Sequence, residues 1–78
     1  MIQEIENLTG ADTHTASLLA VRYLVKETDM SYQQVANKTG IRRDPLFAMW
    51  LTSNNRWYIK SFRDMYAQVV SHFSNPQT

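Results

Sequence analysis

Between Met30 and Leu51 the chain carries a run of start and stop signals that leaves little choice of local structure. Ser31 stands before a helix-compatible stretch and Gln34 lies three residues on. At that spacing the serine oxygen and the glutamine amide each satisfy a backbone N–H of the other. The helix they open runs from Tyr32 to Thr39 and faces inward through Val35 and Ala36. Gly40 follows, at a position where the chain closes a helix in the left-handed conformation and only glycine does so cheaply. Asp44 is then expected to cap a further helix, with Pro45 in its first position, where a missing N–H is harmless. That helix reads Pro45 to Leu51 or Thr52. Two short helices meet at a wide angle across so tight a turn only if a small residue faces the corner. Ala36 is that residue, and Ile41, Leu46 and Trp50 fill the corner.

The rest of the chain is helical in period as well. Ile2, Ile5 and Leu8 are three apart, which fits one or two turns packed on the body or a loose arm over residues 1–11. Beyond Gly10, Asp12 or Thr13 can cap a helix reaching about Thr28, with Ala16 or Leu18, Val21, Leu24 and Val25 as its buried stripe. Asp29 and Met30 form the break before Ser31. Ser53-Asn54-Asn55-Arg56 reads as a polar loop. The last helix places Ile59, Phe62, Met65, Tyr66, Val69, Val70 and Phe73 three and four apart. Ser74-Asn75-Pro76 stops it, leaving 75–78 as a frayed tail. Alternating runs and hairpin turn pairs are missing. The expectation is an all-α fold: one domain over residues 1–78, a compact bundle of four to five short helices with a helix-turn-helix at about residues 31–52.

Size and composition narrow the function. With 78 residues there is room for one core. The chain has no cysteine, so neither a disulfide nor a thiolate metal site is open to it. Its apolar runs are too short to cross a bilayer, and the acidic, amide-rich start differs from a secretory leader. A soluble intracellular protein is the expectation. The formal net charge of +1 hides an asymmetry: residues 1–29 carry −3 and residues 30–78 carry +4. Such a split suits a surface facing a polyanion. His14 and His72 are far apart in sequence with no carboxylate cluster at ligand spacing, and no nucleophile–base pair stands out. Neither a metal, a cofactor nor an enzymatic activity is expected.

The segment Ser31-Tyr32-Gln33-Gln34-Val35-Ala36-Asn37-Lys38-Thr39-Gly40-Ile41, continued through Leu46 and Trp50, resembles the lambda-repressor and Cro-like helix-turn-helix family. The resemblance spans roughly residues 18–68. It implies a sequence-specific DNA-binding transcriptional regulator of phage or mobile-element type, at work in the cytoplasm of a bacterial host. It also implies a homodimer whose third helix lies in the major groove of double-stranded operator DNA. By position, Tyr32 and Gln33 would touch phosphate. Arg42, Arg43, Asp44, Phe47, Ala48 and Leu51 would fall on or just before the outer face of the reading helix. Asn54, Asn55, Arg56 and Lys60 would clamp the backbone.

Two positions depart from the family pattern. Tyr32 stands where glutamine is common, and Phe47, Ala48 and Leu51 leave the outer face of the third helix almost without hydrogen-bonding groups. Apolar side chains read thymine methyls, but a bare apolar face also suits a protein partner. The alternative expectation is therefore an antirepressor-like or inhibitory module that captures a protein through this face. Val69, Val70 and Phe73 extend past what so small a domain covers, and they are the expected dimer surface.

Overall fold

The computed structural model of the chain describes residues 1–74. Five helices follow one another: α1 (Ile2–Thr9), α2 (Thr13–Lys26), α3 (Tyr32–Thr39), α4 (Arg43–Asn55) and α5 (Lys60–Ser74). The described residues contain no strand, and no helix among them is long and apolar enough to cross a membrane. The fold is all-α.

Short-range chemistry sets most helix ends. Ser31 accepts from the Gln34 N–H at 3.3 Å and the Gln34 side chain accepts from the Ser31 N–H at 3.0 Å, so the reciprocal cap of α3 is complete. Asp12 opens α2 by accepting from the Thr15 N–H at 2.8 Å. Hydrogen bonding from the Thr15 side chain first, and then from this backbone N–H, holds its carboxyl below the ordinary aspartate range, with minor help from His14 and Arg56. One closing device is used twice. Gly10 (φ 75°) ends α1 and Gly40 (φ 77°) ends α3, each giving its N–H to the carbonyl four residues back. Before each glycine a threonine hydroxyl donates to its own helix, Thr9 to Ile5 and Thr39 to Val35, both at 2.8 Å. That hydroxyl then accepts from the residue after the glycine, Ala11 or Ile41, both at 3.2 Å.

α4 differs from its expected span at both ends. It begins at Arg43 with Arg42 as an N-cap lacking a side-chain bond, so Asp44 is a first-turn residue and not the cap. Pro45 is third in the helix, where its missing N–H still interrupts no intrahelical bond. Asp44 acts there through charge, its carboxylate lying near the positive end of the helix dipole. At the other end the polar stretch Ser53 to Asn55 is helix, not loop. Ser53 is fully buried, and its hydroxyl donates to the Trp50 carbonyl at 2.7 Å.

α2 is the axis of the molecule and packs on all four other helices. Ala16 and every residue from Leu18 to Leu24 are buried. The expected single stripe is thus replaced by a helix sheathed on all sides, as its sequence allows when neighbours cover each face. Ile5 is fully buried, so α1 is a packed helix and not a loose arm. The Glu4 carboxylate joins His72 at 2.9 Å, linking α1 to the last turn of α5. Val69 is also fully buried. Expected on a dimer surface, it belongs to the chain's own core because α1 and α2 together cover that part of α5. Val70 is half-buried, and Phe73 rests on Tyr23 with ring centres 5.7 Å apart. The expected tail, 75–78, lies outside the described residues.

Candidate nucleic-acid interface

α3 and α4 are joined through Gly40, Ile41 and Arg42. Val35 and Leu46 are fully buried at the junction, while Ala36, Ile41 and Trp50 pack at its edge. This is the corner expected from the sequence. With Leu46 and Ser53 turned into the core, the opposite face of α4 is fixed by helical geometry. It consists of Asp44, Ala48, Leu51 and Asn55, flanked by Arg43 and Phe47, and all six are exposed.

Most of the expected site residues lie on this side of the molecule. Arg42 and Arg43 are exposed, and neither pairs with a carboxylate among the described residues. With Gln33, Asn37 and Asp44 they line a shallow open groove of about 510 Å³ along the turn. Gln33 is exposed and its amide donates to Asn37 one turn on, at 3.3 Å. Tyr32 is half-buried because its ring meets Phe47 edge-on, with centres 6.4 Å apart. Phe47 remains 55% exposed and Leu51 44% exposed. The apolar outer face read from the sequence is therefore open to solvent and does not pack on α5.

The residues assigned to a backbone clamp divide. Asn55 is the last residue of α4 and shares its outer face. Asn54 is exposed, but its Oδ1 accepts from Arg22 at 2.7 Å. Arg56 is half-buried and reaches back to the Thr15 hydroxyl at 3.4 Å. Lys60 pairs with Asp64 at 2.9 Å in an exposed i,i+4 bridge, the kind that contributes little and yields to a competing anion. Beside them Tyr58, 80% exposed in the turn between α4 and α5, was not singled out by the sequence.

Arg22 is the larger omission. It is only 4% exposed, and its guanidinium lies 4.0 Å from the Trp57 ring centre, 5.2 Å from Trp50 and 5.6 Å from Tyr66. Cation–π attraction offsets part of the cost of burying that charge, by about 2 kcal/mol for a desolvated contact. Nη1 also donates to the Ser53 hydroxyl at 3.2 Å, while Nε has no partner among the described residues. Desolvation lowers the Arg22 pKa, and Tyr66 and Glu27 act against that shift. Tyr66 in turn gives its hydroxyl proton to Glu27 at 2.9 Å. Burial first, and then that bond, push its pKa well above the usual tyrosine value. In sequence Arg22 looks like the polar residue of an amphipathic helix. Only the aromatic cage supplied by α4, α5 and the turn between them makes it a core residue.

Comparison with known proteins returns no match among family models, curated proteins or solved structures.

Proposed function

We propose that the chain is a sequence-specific DNA-binding regulator that lays α4 in the major groove of double-stranded DNA. The observation that carries this reading is the pair Arg42 and Arg43, exposed and free of carboxylate partners among the described residues, where the turn leads into α4. Guanidinium groups so placed suit the paired acceptors of guanine or the oxygens of phosphate. Along the groove Ala48 and Leu51 offer apolar contact to thymine methyls, while Tyr32 and Gln33 face the flanking phosphates. The protein extends 31 Å along each of its two longer axes. Two copies therefore fit side by side on half-sites about 34 Å apart. Because Val69 is core, such a pair would meet through another surface.

In-vitro selection of duplex sites at two salt concentrations tests the proposal. The expected outcome is an enriched sequence, with affinity that falls as salt rises and a weaker slope for Arg43→Ala. A pool with no sequence preference, together with unchanged binding by Arg43→Ala, rejects it.

A second reading rests on Phe47 and Leu51, two large apolar side chains left open beside Tyr32. In it the same face binds a protein, as an antirepressor or inhibitor would. Phe47→Lys would then abolish capture of that protein without weakening DNA affinity. A pull-down that recovers no protein counts against this second reading.

A further inference from the structure

We propose that Arg22 is a positioning residue: it fixes the side-chain amide of Asn54 so that this residue meets the nucleic acid as a hydrogen-bond donor to phosphate and not as a reader of base edges. The inference rests on the DNA-binding reading and adds a role to it.

The amide's orientation follows from elementary chemistry. Arg22 Nη1 lies 2.7 Å from one terminal atom of the Asn54 side chain. A guanidinium group has donors and no acceptor, so the atom facing it is the carbonyl oxygen. Oδ1 is thereby held against the protein, and Nδ2, which makes no hydrogen bond among the described residues, is the group left for an outside partner. The guanidinium cannot swing away to release it. Three aromatic rings enclose it. The Ser53 hydroxyl, which accepts from the same Nη1, is anchored by its own bond to the Trp50 carbonyl.

Bidentate recognition of adenine needs an amide that donates and accepts on the same side. An amide whose oxygen is tied to a buried cation presents only its N–H₂, which matches the acceptor-only oxygens of a phosphate. The cation also polarises the amide, which strengthens the outward N–H as a donor. Asn54 thus fixes register on the backbone, and sequence is read elsewhere on α4.

The test is a double-mutant cycle of Arg22→Met, Asn54→Ala and the double variant. Binding is followed by fluorescence anisotropy on a selected duplex and on an unrelated duplex of equal length, with thermal midpoints measured in parallel. Losing a hydrogen bond to a charged phosphate should weaken Asn54→Ala by roughly tenfold or more, equally on both duplexes. Methionine fills the aromatic cage without a charge, so Arg22→Met should fold and still lose affinity by a similar factor. Adding Asn54→Ala to it should then cost less than about twofold, because the two residues act as one unit. Arg22→Lys, which keeps a donor in the cage, should recover part of the loss and serves the same cycle if Arg22→Met does not fold.

Independent, multiplying losses would overturn the proposal, as would an Asn54→Ala defect confined to the selected duplex. In both outcomes the wild-type chain still binds DNA. No wild-type affinity for either duplex would instead remove the DNA reading itself, and the phosphate role with it.

Discussion

Gly10 and Gly40 offer a matched test of the backbone reasoning. Both have left-handed φ, 75° and 77°, and beyond the glycine and its two chain neighbours no heavy atom lies within 4 Å of where a Cβ would stand on either. Replacement by alanine therefore adds conformational strain and no clash. Holding a non-glycine residue in the left-handed region costs about 1–2 kcal/mol. Stiffening the unfolded chain offsets about 0.4–1 kcal/mol of that. Gly10→Ala and Gly40→Ala should thus each destabilise by about 1 kcal/mol, a fall of about 4–8 °C in Tm for a domain of this size. Asparagine tolerates the same conformation better, so Gly40→Asn should cost less than Gly40→Ala. The two sites close different helices, and the double alanine variant should sum the single losses. Urea titration followed by far-UV circular dichroism measures all four variants. A stabilising Gly40→Ala would refute the argument. So would a loss above about 3 kcal/mol at either site, which exceeds the strain that backbone conformation alone supplies.

Three further outcomes are expected. Val69→Ala should destabilise the monomer by about 2–3 kcal/mol, as the loss of two buried methyl groups and the resulting cavity require; a Tm that changes with protein concentration in the wild type and not in the variant would instead place Val69 in an interface. Tyr66 has a pKa raised on folding, so its contribution is fully present below the unfolded value of about 10 and is lost as pH rises through the folded value. Stability should therefore fall above about pH 10, and Tyr66→Phe should remove that component of an alkaline unfolding titration. Asp44→Asn removes a negative charge from the exposed first turn of α4. It should tighten DNA binding several-fold at low salt, with less effect at high salt, and slightly lower stability; unchanged affinity at low salt would place α4 away from the phosphates.

The features legible in the sequence are those set by bonds that span four residues or fewer. The Ser31–Gln34 box, the left-handed Gly40 and the bounds of α3 follow from such local chemistry, whereas for α2 the sequence offered both Asp12 and Thr13 and the structure selects Asp12. The corner of Ile41, Leu46 and Trp50 was legible too, because it joins adjacent elements across a three-residue turn. The exposed stripe of Phe47, Ala48 and Leu51 follows from that corner by helical period alone. What tertiary structure decided depends on neighbours from distant parts of the chain. Ser53 to Asn55 read as loop because they are polar, yet Arg22, more than thirty residues earlier, helps hold them on α4. Val69 read as surplus apolar surface until α1 and α2 covered it. Arg22 itself carries no local sign of burial, since its cage is assembled from Trp50, Trp57 and Tyr66. A hydrogen bond within one helical turn is encoded where it forms, whereas burial is encoded by whatever the rest of the chain brings to cover the residue.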